Sequence, residues 1–265
     1  MNMSPFSPID SLVISRPQKG VLALTLNRAQ RKNALDRELV IGLGDAFSLL
    51  EQDESIRVVL LQGAGGAFCA GADLSTIENA GSDELEGRIN EFHRIILGIV
   101  EAKVPIIAVI DGPAVGFGAD IALACDLRIM SERAYLEESF AKIGLMPDGG
   151  GTLWLSQFVG PRAFEYLALG TRLDAPTCQE WGIANHVVSC QELENKSLSM
   201  AEKLASSAPL AIRALKLALR AGIRSALRET LEREKRGQIE LIQSADFSEG
   251  VAAFLGKRAP EFLGN

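Results

Sequence analysis

Two apolar runs, Val58 to Leu61 and Ile106 to Ile110, each lead into a glycine-rich loop and then into a helical pattern. A continuous aliphatic run bounded by turn residues is a strand buried on both faces, and such strands pair in parallel. Parallel neighbours need crossovers. The repeated order of strand, loop and helix therefore predicts right-handed units with their loops gathered at the carboxyl ends of the strands, where ligands bind. Ahead of these units, Leu12 to Ile14 and Val21 to Leu26 flank Pro17 and Gly20 and read as a hairpin. Asp36 reads as the N-cap of a helix to about Gln52, with Leu39, Val40, Leu43, Phe47 and Leu50 at helical spacing. The loop Gly63 to Asp73 precedes a helix from about Asp83 to Ala102, Gly112 to Gly118 opens a short helix, and Leu127 to Met130 is a further strand. From Pro161 the strands nearly stop, and helices are predicted at Pro161 to Leu169, Gln191 to Ser206, Pro209 to Ala221 and Ala226 to Gln243. The fold class is α/β, with a core over residues 1–200 and a helical region over 201–265.

A chain of 265 residues, 47% hydrophobic and 23% charged, builds its own core without metal or disulfide staples. Its 27 Lys and Arg against 34 Asp and Glu leave a charge of −7, which disfavours nucleic acid as a partner. Cys69, Cys125, Cys178 and Cys190 are widely spaced with no CxxC pair, so no zinc site, redox motif or disulfide framework is expected and a reducing cytosol fits. Met1 to Asp10 lacks a basic stretch followed by an apolar one, and no run approaches a membrane span, so a cytoplasmic protein without membrane association is expected.

The loops carry the chemistry. Gly65 to Leu74 reads Gly-Gly-Ala-Phe-Cys-Ala-Gly-Ala-Asp-Leu, small residues that let a backbone N–H approach a ligand. Asp111 to Asp120 reads Asp-Gly-Pro-Ala-Val-Gly-Phe-Gly-Ala-Asp, a glycine turn opening a helix whose free amides favour an anion. Two converging backbone donors form an oxyanion hole. Neither loop is a dinucleotide or P-loop motif; alone, each is also read as a tight strand-to-helix turn.

Taken together, Asn27-Arg28-Ala29-Gln30-Arg31-Lys32-Asn33-Ala34-Leu35, Phe68-Cys69-Ala70-Gly71-Ala72-Asp73-Leu74, Gly112 to Asp120 and Ala124-Cys125-Asp126 strongly resemble the crotonase superfamily of enoyl-CoA hydratases and isomerases. The resemblance covers nearly the whole chain. It implies a crotonase-like spiral of ββα units, a C-terminal helical trimerisation region, assembly into trimers or hexamers, and an acyl-CoA substrate whose coenzyme A is part of the substrate, with no separate cofactor. It also implies a thioester oxygen held by the N–H groups of Ala72 and Phe117. Phe117 stands where many relatives carry glycine, a change that keeps the donor and adds a ring to the pocket.

A polarised thioester makes its neighbouring C–H acidic enough for a carboxylate to take the proton. Hydratases of the superfamily use two glutamates, which match Asp120 and Phe140 here; Phe140 transfers no proton. Asp148, in Ile143-Gly144-Leu145-Met146-Pro147-Asp148-Gly149-Gly150-Gly151-Thr152, resembles the single acid of superfamily isomerases, both the 3-enoyl to 2-enoyl-CoA type and the ring-epoxide phenylacetyl-CoA type. Dienoyl-CoA isomerases keep a third acid at the Phe140 position. Asp148 also reads as an N-cap for a helix starting near Thr152, and Asp120 as a first-turn acid on the helix dipole. Glu137 and Glu138 are candidate stand-ins for the missing partner. His93 and His186 lie in no motif, which argues against a triad or a histidine metal site.

The resemblance assigns the coenzyme A moiety to Arg28, Ala70, Asp73, Leu74, Phe254 and Lys257, and the acyl end to Phe117, Phe140 and Trp154. Arg213, Lys216, Arg220, Arg224 and Arg228 form a basic stripe at helical spacing, read as a solvated or trimer-facing helix in preference to an RNA-binding face. The expected activity is an acyl-CoA isomerase with Asp148 shuttling the proton. The alternatives are a hydratase using Asp120 and Asp148, an acyl-CoA hydrolase or dehalogenase, and a noncatalytic coenzyme A or RNA binder.

Overall fold

The computed structural model describes residues 9–74 and 82–265. The N-terminal reading made for Met1 to Asp10 falls mostly outside them. A hairpin of β1 (Leu12–Gln18) and β2 (Val21–Leu26) opens the chain, and Asp36 caps α1 (Arg37–Leu49) by accepting from the Leu39 N–H at 3.0 Å. Next come β3 (Val58–Gly63), α2 (Ser82–Glu101) and β4 (Ile106–Ile110). A short β5 (Pro113–Val115), α3 (Phe117–Ala124), β6 (Leu127–Ser131) and β7 (Tyr135–Glu137) follow. Then come α4 (Gly151–Val159), α5 (Ala163–Leu169), β8 (Arg172–Asp174), α6 (Ala175–Glu180) and β9 (His186–Val188). The chain closes with α7 (Leu193–Ser206), α8 (Pro209–Ile242) and α9 (Ala245–Leu255).

Six strands form one sheet in the order β1-β2-β3-β4-β6-β9, every neighbour parallel except β1 with β2. A smaller sheet, β5-β7-β8, lies alongside. Successive turns of the chain place β4 and then β6 in the large sheet and β5 and then β7 in the small one, which is the ββα spiral expected. Alternate residues of β2, β3 and β4 explain the unbroken apolar runs. Leu22, Leu24, Val59, Leu61, Ile106 and Ala108 enter the main core, while Val21, Ala23, Val58, Leu60, Ile107 and Val109 pack under α7 residues Leu193 and Ala201. Residue 200 lies inside α7.

Two sequence expectations need correction. The helices anticipated at 209–221 and 226–243 are one 34-residue helix, α8, because the glycine at the anticipated break, Gly222, costs only about 1 kcal/mol against alanine and the helix packs on α2, α4 and α9. Strands also persist beyond Pro161: β8 and β9 are three residues each, too short to carry a period-2 signature, and β9 extends the large sheet.

Candidate active site

The two glycine-rich loops meet at the carboxyl ends of β3 and β4. Val115 N–H donates to Cys69 O at 2.9 Å, and Cys69 and Ala114 form an isolated bridge. Glycine is required at the contact. A Cβ on Gly118 would stand 2.3 Å from Cys69 O, and one on Gly71, whose φ is +86°, would stand 2.8 Å from Val115 O and 3.4 Å from Phe117 N. The first loop is braced from below by buried Asn33, whose Nδ2 donates to Ala64 O and Ala67 O at 2.9 and 2.8 Å. The Ala72 and Phe117 N–H groups donate to no protein acceptor among the described residues. Both residues line a cavity of about 640 Å³, giving two free donors on adjacent loops at its wall. The Phe117 ring packs edge-on against Phe92 with centroids 4.6 Å apart, and Phe92, Phe117 and Phe140 all line the cavity. The Phe140 ring lies against Gly116, whose added Cβ would come within 3.7 Å of it.

The cavity wall includes the carboxylates of Asp36, Asp73, Glu91, Glu137 and Asp148. Arg28 binds both Asp36 and Asp73, Arg37 binds Glu91, and Lys142 and Arg172 bind Glu137 at 2.8 and 2.6 Å. Burial works to raise Glu137, but its bonds from Lys142 and Arg172 outweigh that and hold it below the ordinary glutamate value. Asp148 alone among them has no Lys or Arg partner among the described residues. Its Oδ2 accepts from Gln238 Nε2 at 3.1 Å, and burial, partly opposed by that bond, pushes its carboxyl up to about 7. Its own carbonyl accepts from His93 Nε2 at 3.0 Å, and burial lowers His93 to about 4, so the ring is neutral at neutral pH.

Asp148 does not cap α4. The cap residue is Gly150, and Glu234 reaches in from α8 to accept from Gly150 N–H, Thr152 N–H and Thr152 Oγ at 2.7, 3.1 and 2.5 Å. Glu234 thus takes the helix amides and leaves Asp148 facing the cavity. Sequence reasoning missed both Glu234 and Gln238, because only the folding of α8 over the turn brings them within reach.

Other expectations fall where the packing puts them. Ala70, Ala72, Asp73, Leu74, Phe117, Phe140, Asp148 and Phe254 line the cavity. Asp120 is fully buried and absent from the lining; its Oδ2 accepts from Gly149 N–H at 3.1 Å. Glu138 is also buried and outside the lining. Arg28 is spent on Asp36 and Asp73 and braces the first loop, and exposed Lys257 also lies outside the lining; Arg31 and Lys32 line the rim instead. Trp154 is enclosed beneath the turn, donating from Nε1 to Gly149 O at 3.1 Å, and does not touch the cavity. The basic stripe faces inward at Lys216 and Arg220, which bind Asp126 at 2.7 and 3.2 Å.

Residues 16–265 match the family model described as enoyl-CoA hydratase/isomerase. The chain belongs to the enoyl-CoA hydratase/isomerase family. Over 257 residues it is 35% identical to the 1,2-epoxyphenylacetyl-CoA isomerase of Escherichia coli, covering 95% of this chain and 98% of the relative. It is also 35% identical to a probable mitochondrial enoyl-CoA hydratase 2 of Arabidopsis thaliana, covering 95% and 84% respectively. A solved enoyl-CoA hydratase from Mycobacterium avium subsp. paratuberculosis superposes with a TM-score of 0.89 at 35% identity over 97% of this chain and all of that one. The fold is the crotonase-like one, and the chain is an enzyme of this family. Among the described residues no helix is long and apolar enough to cross a membrane.

Proposed function

We propose that the chain is an acyl-CoA isomerase that moves a double bond, or opens and rearranges a ring epoxide, by proton transfer through a thioester enolate. The observation that carries this reading is the pairing of Asp148, the cavity carboxylate without a cation, with Phe140 in place of a second acid beside the oxyanion loop. The Ala72 and Phe117 amides hold the thioester oxygen. Negative charge developing there is stabilised by donors that need no reorganisation, reinforced by the amide end of α3. With a carboxyl at about 7, Asp148 is ionised often enough to take a C–H proton and acidic enough to return it to another carbon. Glu137, ionised and ion-paired, is not free to share that task.

The apolar rings of Phe92, Phe117 and Phe140 receive the acyl group, and Arg31 and Lys32 at the rim meet the coenzyme A phosphates. The similarity to an epoxyphenylacetyl-CoA isomerase supports a ring-bearing acyl group. Relatives named as hydratases at equal identity support the second reading, hydration by Asp148 with Asp120, against which stands the absence of Asp120 from the cavity wall. Exposed Leu215 and Leu219, one turn apart on α8, support assembly into trimers or hexamers through this helix.

Product analysis by NMR, with 3-hexenoyl-CoA, 2-hexenoyl-CoA and epoxyphenylacetyl-CoA offered in turn, tests the reading. A shifted double bond or rearranged ring without added water, lost in Asp148→Asn, is the expected result. A 3-hydroxyacyl product would replace it with the hydratase reading. Phe140→Glu, which restores a second acid beside the oxyanion loop, is expected to gain hydration of 2-hexenoyl-CoA.

A further inference from the structure

The small sheet turns one face into the main cavity. Pro113, Val115, Tyr135, Glu137 and Arg172, which alternate along β5, β7 and β8, line it, while Ala114, Leu136 and Leu173 between them enter the core. Val115 and Arg172 stand on either side of Glu137 in register. Both carboxylate oxygens of buried Glu137 are taken: Arg172 Nε donates to Oε2 at 2.6 Å, and Lys142 Nζ, from the helical turn Phe140–Ile143, donates to Oε1 at 2.8 Å. Two cations meet one anion, so the cluster carries excess positive charge. Asp174, the next residue on that side of β8, accepts from Thr177 N–H at 2.9 Å and lies outside the lining.

The spare donors of these cations are held in place. The Arg172 guanidinium stacks 4.5 Å from the Tyr135 ring centroid, and with Nε bound to Glu137 its two Nη groups have no acceptor among the described residues. Lys142 lays its stem on Gly170, where an added Cβ would stand 2.8 Å from Lys142 Cε, and its ammonium keeps donors beyond the one given to Glu137. Backbone neighbours then fix which part of a ligand the cluster meets. The segment 31–35 meets the first loop at Leu35 and Ala72, that loop meets β5 at Cys69 and Ala114, β5 pairs with β7, and β7 pairs with β8. Arg31 and Lys32 stand at one end of this series and Arg172 at the other, with the Ala72 and Phe117 amides between them. Gly116 N–H, next to the Phe117 donor, donates to Glu137 O at 2.8 Å. At about 4.8 Å per strand, β8 lies about 10 Å from β5, a span that an acyl chain of moderate length covers.

We propose that Arg172 and Lys142 form a subsite for a carboxylate at the far end of the acyl group, so that the chain prefers acyl-CoA substrates ending in a carboxylate to those ending in a methyl group. The inference rests on the acyl-CoA reading above, which sets the direction of the thioester. With its oxygen on the Ala72 and Phe117 amides and its coenzyme A toward Arg31 and Lys32, the substrate sends its acyl group past Phe140 toward Arg172 and Lys142. There the two Nη groups of Arg172 present a fork that matches a carboxylate, and Lys142 adds a second cation. Glu137 and Tyr135 fix the guanidinium before the ligand arrives, which lowers the cost of ordering it on binding.

The test is calorimetric titration of the wild-type protein, Arg172→Met and Lys142→Met with adipyl-CoA and hexanoyl-CoA, saturated thioesters of equal chain length that end in a carboxylate and a methyl group. Neither has a double bond to move, so binding is read apart from turnover. The ratio of the two dissociation constants is taken within each protein, and a loss of fold or of coenzyme A affinity common to both ligands cancels. The wild-type protein is expected to bind adipyl-CoA about tenfold more tightly than hexanoyl-CoA, and each variant to reduce that preference to about threefold or less. No preference in the wild-type protein, or a preference unchanged in either variant, overturns the subsite. Equal weakening of both thioesters and of free coenzyme A by the variants gives these cations to the coenzyme A phosphates and overturns it as well. Failure of the wild-type protein to bind either thioester removes the acyl-CoA reading and the subsite with it, whereas failure to shift the double bond of 3-hexenoyl-CoA in a separate assay removes the isomerase reading alone.

Discussion

The two ends of α3 are equally buried and chemically opposite. At its carboxyl end every orphan carbonyl finds a donor: Ile121 O accepts from Cys125 Sγ at 3.2 Å, Ala122 O and Leu123 O from Arg128 Nη1 at 3.3 and 3.2 Å, and Ala124 O from Arg220 Nη2 at 2.8 Å. Asp126 balances Lys216 and Arg220, and Arg128, lowered by burial to about 10, remains a cation at neutral pH. At the amide end the Phe117 N–H has no acceptor among the described residues, and four carboxyl groups, Asp120, Glu138, Asp148 and Glu234, share one neighbourhood. A side-chain donor on each end carbonyl, with Asp126 pairing Lys216 and Arg220, makes a fixed scaffold. Unmatched acids hold protons at pH values where a carboxylate is normally ionised, and that makes them reactive.

The comparison is broken most severely at Asp148. Asp148→Asn, which keeps the shape and removes the base, is expected to lower kcat about a thousandfold with little change in KM in a steady-state assay; a loss below tenfold would move the base elsewhere. In the wild-type protein, kcat/KM is expected to rise about tenfold per pH unit up to about 7 and then level, as Asp148 ionises. Next in size is the scaffold end. Arg128→Met strands carbonyls of α3 and Ile183 and is expected to cost about 3–5 kcal/mol in thermal or denaturant unfolding.

A smaller effect separates the ends by pH. Asp148 and Glu234 are both raised to about 7, chiefly by burial, against ordinary values near 4, so the folded chain binds more protons than the unfolded one between those values. Their stabilising contribution is full below about pH 4 and is lost as pH rises through 7. Each is expected to favour the fold by about 1 kcal/mol more at pH 6 than at pH 8, so that Tm rises on acidification across that window, and Glu234→Gln should flatten the rise. Smallest is Phe117→Ala. The backbone donor survives and only the ring against Phe92 is lost, so kcat for a small acyl group is expected to change less than tenfold while KM shifts with acyl size.

Much of this architecture was legible in the residues. Val58 to Leu61 and Ile106 to Ile110 gave buried parallel strands, and the small residues around Gly71 and Gly118 marked two loops in close contact. Asp36 was readable as a cap because its partner is three residues away. Asp148 was readable only as either cap or acid, since Pro147 and three glycines allow both. Arg28 and Arg31, three residues apart, look alike in sequence, yet one is consumed by Asp36 and Asp73 and the other lines the rim. The basic stripe of α8 was invisible as a structural clamp, because its partner Asp126 is 90 residues from Lys216.

The sequence by itself determined the order of the first five strands of the large sheet and the helices between them, the two loops with their backbone donors, and the replacement of a second acid by Phe140. Those features depend on backbone conformation, apolar periodicity and residue identity, which act locally. Tertiary structure alone decided that Glu234 relieves Asp148 of capping α4, that Asp120 and Glu138 are enclosed with no Lys or Arg partner among the described residues, and that Lys216 and Arg220 turn inward. A side chain's charge state and task depend on the dielectric and the groups packed around it, and these come from segments of the chain brought together only by folding.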